Sequence, residues 1–444
     1  MKITVAGTGY VGLTTGVCLA EIGHHVTCID IQEEKISLLQ AGLSPIYEPR
    51  LKPLLIKNLS SGRLDFTTNP QYAYSDAEII FIAVGTPEND DGTANLDDVF
   101  AVARSIALNI ENDVLICTKS TVPVGTNDRI KHLVHCEKPP NVHVEVASNP
   151  EFLREGSAIF DFFHGDRIVI GASHPQVAAV LEQIYLPLKI PIIKTDIRSA
   201  EMIKYVSNAF LATKISFINE IAFICEQVGA NVEEVAYGVG QDKRIGHRFL
   251  RAGIGYGGSC FPKDTKALVQ LSGNVKHKFE LLEAVIKVNN RQQTIAVTKV
   301  KGAVGHLRGK KVALMGLSFK PNTDDVREAP SLTIIRELLE EGAVITAYDP
   351  VALTNAQLVL GDTIEYTTEI RVALTNAEIA IIATEWDEIV QLPLNTYVEY
   401  MKEAVIMDGR NCYPLEEVQK YPITYLSIGR PMITNALMNT KSII

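Results

Sequence analysis

The sequence predicts an α/β protein with two Rossmann-like, doubly wound domains joined by a long central helix. Three observations carry this. Short apolar runs alternate with helical patterns through the first 150 or so positions, and a second block with the same rhythm opens at Lys311. Between them, residues 202–225 keep apolar side chains at helical spacing without a Pro or Gly, until Gly229 ends the run. A chain of 444 residues that is 46% hydrophobic can bury two or three separate cores, and we expect boundaries at 1–200, 201–300 and 301–444.

Taken in order, the strands of the first block are expected at residues 3–6, 26–29, 79–84, 114–117 and 144–147. They read as nearly continuous apolar runs, as strands covered on both faces must. In the second block, strands are expected at 311–316, 344–348, 379–383 and 405–407. The net charge of −10 and pI near 5.6 argue against nucleic acid or an anionic membrane as partner, so an anionic ligand has to be met by local cations. No apolar run looks long enough to cross a bilayer, and Lys2-Ile3-Thr4-Val5-Ala6 follows no charged leader; a cytoplasmic location is expected. Seven scattered cysteines without CxxC spacing suggest neither a disulfide framework nor a metal site.

Gly7-Thr8-Gly9-Tyr10-Val11-Gly12 follows the first strand and opens a helix, and a second strand closes on Asp30. In that context the glycines let the backbone approach a pyrophosphate at the helix N-terminus, while the acid accepts the ribose hydroxyls. Asp30 would repel a 2′-phosphate, so NAD is expected rather than NADP, with Lys35 close enough in sequence to temper the preference. Two later strand ends run into loops carrying Thr86 and Lys119-Ser120-Thr121, and ligands of such folds gather at strand C-termini. The segment Ser148-Asn149-Pro150-Glu151-Phe152-Leu153-Arg154-Glu155-Gly156 sets Glu151 and Glu155 four apart, where they could share a helical face and one could act as a base. Lys204 and Asn208 are one turn apart on the long helix, a costly polar pair unless matched by partners or used on an oxyanion.

Gly257-Gly258-Ser259-Cys260-Phe261-Pro262-Lys263-Asp264 places a cysteine in a turn beside a lysine and a carboxylate. A free thiol has a pKa of about 8.5, so a nearby cation or backbone N–H cluster is what turns it into a nucleophile. In the second block, Lys320 within Phe319-Lys320-Pro321 and Arg410 within Asp408-Gly409-Arg410 each follow a strand, where they could meet phosphates.

GTGYVG, KSTVPVG, NPEFLREG, EMIKYVSNAF, GGSCFPKD and FKPNTDDVRE arrive in one order along essentially the whole chain, and in that order they resemble the UDP-glucose dehydrogenase family. The resemblance implies an N-terminal NAD domain, a long helix at a homodimer core, and a C-terminal domain for the UDP part of a sugar nucleotide. It also implies an oxidation of UDP-glucose to UDP-glucuronate by way of a thiohemiacetal and a thioester on Cys260. Lys204, Asn208 and Asp264 would manage protons and oxyanion charge, with Glu151 and Thr121 placing the hydrolytic water. Gly7, Gly9, Tyr10, Val11, Gly12, Asp30, Lys35, Thr86, Thr121, Glu155, Lys263 and Arg327 would touch the cofactor. Glu151, Phe152, Leu153, Glu155, Lys204, Asn208, Phe249, Tyr256, Gly257, Phe319, Lys320 and Arg410 would hold the substrate, and Arg244 would reach into the partner's site. No metal is implied. The alternatives are a dehydrogenase of another nucleotide sugar (UDP-GlcNAc, UDP-ManNAc or GDP-mannose) and a single-step β-hydroxyacid-type dehydrogenase, which needs no cysteine.

Overall fold

The computed structural model describes residues 1–435. The chain divides into two compact units, Met1–Ser207 with Lys266–Val275, and Asn208–Thr265 with Lys276 onward. The expected middle segment 201–300 is thus shared between two units and does not form a unit of its own.

The first unit is built on an eight-stranded sheet. Its strands are β1 (Lys2–Ala6), β2 (His25–Ile29), β3 (Leu64–Thr67), β4 (Ile79–Ile82), β5 (Val114–Thr118), β6 (Val144–Ser148), β7 (Ile168–Ala172) and β8 (Ile192–Thr195). Their order is β3-β2-β1-β4-β5-β6-β7-β8. All neighbours run parallel except β6 and β7, and β1 is registered with Ile3 opposite both Val26 and Ile79. The central β4 and β5 are buried along their whole length, the reason for their unbroken apolar sequence. Separate apolar clusters lie on the two faces.

The second unit carries a seven-stranded sheet: β9 (Lys311–Met315), β10 (Val344–Tyr348), β11 (Glu365–Thr367), β12 (Ile379–Ile382), β13 (Val405–Asp408), β14 (Thr424–Ser427) and β15 (Ile433–Thr434). The order β11-β10-β9-β12-β13-β14-β15 repeats that of the first six strands of the other sheet, again with an antiparallel strand after them. Two doubly wound sheets are therefore present, as expected.

The long helix spans Ile197–Val228, a turn longer at its start than expected and three residues longer at its end. Asp196 accepts from Ser199 N (2.9 Å) and Ser199 Oγ at the start, and Gly229, with φ of 76°, stops it. Near its start the helix presses on β7: a Cβ at Gly171 would lie 2.5 Å from the Ala200 Cβ. By length and composition this helix is apolar enough to cross a membrane, which corrects the expectation that no such run exists. Polar side chains such as Lys204, Asn208, Ser216 and Asn219 interrupt the run and are themselves buried, while Phe210, Phe217 and Ile224 are exposed.

Candidate active site

In the first unit, β1 ends on Gly7, whose φ of 101° suits glycine alone and whose N–H bonds to Ile29 O (2.8 Å). A Cβ at Gly7 would sit 2.7 Å from Ala83 O, and one at Gly12 only 2.1 Å from Gly7 O, so both glycines are needed for the backbone to close. Gly9 faces open space and contributes no side-chain cap to the helix Tyr10–Glu21. That helix N-terminus is thus left with its N–H groups to offer an anion. Asp30 accepts from Thr8 N (3.0 Å), Thr8 Oγ1 (2.7 Å) and Gln32 N (3.1 Å), with the Lys35 ammonium at 3.5 Å. Burial alone would raise its carboxyl; those hydrogen bonds and the Lys35 charge outweigh burial and hold it below the usual range. A bare helix N-terminus, a close backbone and an ionised acid fit a dinucleotide.

Beyond β4 and β5, Thr86 Oγ1 donates to Thr121 O (3.0 Å), tying the two strand-end loops together. Glu201, from the first turns of the long helix, accepts from Gly125 N (2.7 Å), Asn127 N (3.0 Å) and Asn127 Nδ2 (2.7 Å). It holds the far end of the Thr121 loop. Burial pushes its carboxyl up against the opposing effect of those donors.

The expected helical face for Glu151 and Glu155 does not form. Residues 151–157 are a loop, because Glu151 Oε2 accepts from Leu153 N (2.5 Å) and Gly156 takes a φ of 80°; the helix begins only at Ala158. Glu48 closes this loop by accepting from Gly156 N (2.7 Å) and Ala158 N (2.8 Å). The loop turns Glu151 to Lys204, Nζ to Oε1 at 2.9 Å, with both side chains about 5% exposed or less. The Phe152 ring stacks under Arg167 at 3.8 Å and lies 5.5 Å from Lys204 Nζ.

In the second unit Cys260 is the residue before the helix Phe261–Asn274, and its carbonyl accepts from Asp264 N (2.9 Å). The thiol therefore stands at a helix N-terminus, where an anion is favoured, and Ser259 Oγ is 3.6 Å from Sγ. Asp264 is buried between Asn208 Nδ2 (2.6 Å) and Lys263 Nζ (2.7 Å). Lys263 thus meets Asp264 and is held there. The cysteine turn is clasped by the loop after β9: Gly258 N donates to Arg327 O (3.0 Å), a Cβ at Gly257 would lie 2.1 Å from Glu328 O, and one at Gly258 would lie 2.6 Å from the Phe319 ring. Phe261 meets Tyr256 edge-on at 5.7 Å and Phe249 at 6.3 Å, and Phe249 holds a left-handed φ of 66°.

Arg410 donates to Ala383 O (2.8 Å), Gly255 O (3.4 Å) and Phe319 O (3.3 Å), with Glu385 at 3.4 Å. Lys320 lies over the Phe319 ring. Arg327 forms a two-pronged pair with Asp325, and the exposed Arg244 does the same with Asp242. The expected site residues therefore fall into two groups. Gly7 to Asp30, Lys35, Thr86, Thr121, Glu151, Phe152, Leu153, Glu155 and Lys204 belong to the first unit; Asn208, Arg244, Phe249, Tyr256, Gly257, Cys260, Lys263, Asp264, Phe319, Lys320, Arg327 and Arg410 belong to the second. Glu201, Glu385 and Asp408 escaped the sequence reading. Asp408 fixes the Arg410 loop by accepting from Arg410 N (2.9 Å), Cys412 N (2.6 Å) and Tyr425 Oη (2.6 Å). Only its place beside Gly409-Arg410 hinted at it. Among the described residues no cluster suited to a metal ion occurs.

Residues 1–189 match the NAD binding domain of the UDP-glucose/GDP-mannose dehydrogenase family, 198–291 its central domain and 313–414 its UDP binding domain. The chain belongs to this family. It is 57% identical over 435 residues to UDP-glucose 6-dehydrogenase YwqF of Bacillus subtilis, covering 98% of each chain. A UDP-glucose dehydrogenase structure from Pyrobaculum islandicum superposes with a TM-score of 0.90 at 40% identity, covering 97% of this chain and 98% of that one. A UDP-D-ManNAc dehydrogenase from Pyrococcus horikoshii gives 0.86 at 26% identity over 97% and 99%. The protein is an NAD-dependent dehydrogenase, and the glycine turn and Asp30 are the parts of it that suit NAD.

Proposed function

We propose that the chain catalyses the four-electron oxidation of UDP-glucose to UDP-glucuronate, with Cys260 as a covalent nucleophile. The observation that carries this is a half-buried thiol at a helix N-terminus, one turn from an Asp264 carboxylate clamped by Asn208 and Lys263. The naming of relatives at 57% and 48% identity as UDP-glucose 6-dehydrogenases supports the choice of sugar. NAD, when bound, supplies the nicotinamide that accepts a hydride at each oxidation. The C6 alcohol loses a hydride and a proton to become an aldehyde. Sγ then adds to the aldehyde carbon, the thiol proton passes to its oxygen, and loss of a second hydride and that proton leaves a thioester. Water adds, the C–S bond breaks, and the thiol returns with the carboxylic acid released. Lys204 and Asn208 offset charge on the developing oxyanions, Asp264 holds Asn208 in position, and Glu151 with Thr121 orients the water. The product is an activated uronic acid, the form needed for acidic polysaccharides. Seven free cysteines suit a reducing cytoplasm, where we place the reaction.

UDP-glucose, UDP-GlcNAc, UDP-ManNAc and GDP-mannose should be offered in turn while NADH absorbance is followed. Two NADH per UDP-glucose are expected, with little turnover of the other three. One NADH with free aldehyde accumulating rules out the thioester route, and a preference for another sugar moves the assignment within the family.

A homodimer around the long helix completes the reading. Phe210, Phe217 and Ile224, spaced by seven, are each more than half exposed on one stripe of that helix, an arrangement suited to a second copy of the same helix. Arg244 is assigned to the partner's substrate. If so, mixing Cys260→Ala with Arg244→Ala subunits under exchange should restore activity to about a quarter of all sites, since half the dimers are mixed and each has one intact site. No recovery from two inactive, dimeric variants would return Arg244 to its own subunit.

A further inference from the structure

Lys119 lies at the C-terminal end of β5, two residues before Thr121, and is almost wholly buried. Buried lysines usually face a carboxylate directly, but among the described residues Lys119 makes no direct ion pair. Its Nζ donates instead to Asn149 Oδ1 (3.1 Å), with Asn149 O at 3.5 Å. Asn149 is held from three other sides: Tyr185 Oη donates to its Oδ1 (2.5 Å), its Nδ2 donates to Val169 O (2.7 Å), and its N–H donates to Thr118 O (2.9 Å). Two residues further on is Glu151, whose carboxylate is already paired with Lys204.

The charged and titratable groups that face Lys119 are Glu151 in the loop after β6, Lys204 on the long helix and Cys117 on its own strand. The ring of Tyr185, on the helix Pro175–Tyr185, lies 5.9 Å away. Two buried ammonium groups of the first unit therefore face one carboxyl group, which only Lys204 pairs directly. Burial pushes Lys119 down to about 8, with Lys204 adding to the push, while the Glu151 and Cys117 charges pull it back up. Burial pushes the Cys117 thiol up to about 12, which leaves Glu151 as the carboxyl group that faces Lys119 among the described residues.

We propose that Lys119 is a positioning residue for the reaction: by anchoring Asn149 and placing a second positive charge beside the Glu151–Lys204 pair, it fixes the Glu151 loop and favours the carboxylate form of Glu151. This rests on the reading that Glu151 orients the hydrolytic water. The group acts from behind the site, through Asn149 and through its charge, and touches neither substrate nor cofactor in this scheme.

The two contributions separate by mutation. Lys119→Gln keeps a donor for Asn149 but removes the charge, Lys119→Met removes both, and Lys119→Arg keeps the charge. The readout is the pH profile of kcat for the full chain with UDP-glucose and NAD saturating, each variant first checked for cooperative thermal unfolding. Loss of a buried positive charge disfavours a neighbouring carboxylate, so the acid limb should move up by roughly one pH unit in the Gln variant, and equally in the Met variant should Gln not fold. The Met variant should also lose about tenfold or more in kcat at the optimum, and the Arg variant should keep the wild-type limb. A neutral variant whose kcat is scaled down evenly with its acid limb unmoved assigns Lys119 a purely structural role and overturns the proposal. So does an Arg variant that shifts as far as Gln. If the wild type itself forms no NADH from UDP-glucose, the functional reading fails; an active wild type with an unmoved limb in the variants is failure of this proposal alone.

Discussion

The two sheets begin alike and end in opposite chemistry. In each, the first strand closes on a glycine of positive φ, 101° at Gly7 and 97° at Gly316, whose N–H bonds to the last carbonyl of the second strand, at 2.8 and 2.7 Å. In each, an aspartate follows that second strand. Asp30 keeps part of its carboxylate at the surface, beside a helix that starts three residues after Gly7. Asp349 is sealed. Its Oδ2 accepts from Leu317 N, Ser318 N, Ser318 Oγ and Trp386 Nε1, and its Oδ1 from Val351 N and Ala352 N. The next helix starts only at Pro330, and a Cβ at Gly316 would meet Thr384 at 2.4 Å. The same strand-turn-strand frame thus leaves an acid partly exposed beside a helix end in one unit and buries it as the hub of a loop in the other. A doubly wound sheet is not by itself a dinucleotide site; an accessible acid and an adjoining helix end are what make it one.

The comparison breaks most visibly at Asp349. Asp349→Ala leaves several buried donors without an acceptor and should destabilise the second unit by about 3–5 kcal/mol. Trp386, the single tryptophan, donates to this carboxylate and reports the loss as a shifted urea transition in its fluorescence, while NAD affinity stays within about twofold of wild type. Equal loss of NAD binding would mean that the two aspartates are not functionally distinct. The smaller effect is at Asp30. Asp30→Asn should raise the NADP to NAD ratio of kcat/KM by about tenfold, because one like-charge contact is removed, and should change stability by less than about 1 kcal/mol. An unchanged cofactor ratio would assign discrimination to Lys35 or to another group.

How far the sequence carried the reading depended on how local each signal was. Strands β4, β5 and β12 could be read because burial on both faces leaves only apolar residues. The short strands β3, β7, β8, β11, β14 and β15 went unread; the edge ones among them, such as β8, Ile192-Ile193-Lys194-Thr195, admit charge and exposure, while β7 and β14 are interior but short. Spacing alone made Glu151 and Glu155 look helical, but a side-chain bond to Leu153 N and the positive φ of Gly156 decided otherwise. The glycine turn and Asp30 form one continuous motif and were recognisable from it. The pairs Glu151–Lys204 and Asn208–Asp264 join positions 53 and 56 residues apart. Nothing in local pattern announces such partners, and the single residues were singled out only by their type, their setting and the family motifs. Asp349 carried no signal at all, and Asp408 none beyond its place beside Gly409-Arg410, because an aspartate after a strand is more often a turn former than the acceptor for half a loop.

The clasp around Cys260 has a consequence for how such a protein could change its substrate. Gly257 and Gly258 have no room for a side chain against Glu328 O and the Phe319 ring, so the turn that bears the thiol and the loop that bears Lys320 move as one piece or not at all. Drift in either sequence would displace the Cys260 thiol. On the reading that Cys260 is the nucleophile, a new sugar specificity falls to side chains that flank the clasp, such as Phe249 and Tyr256 beside Phe261, while the clasp itself stays silent in that history.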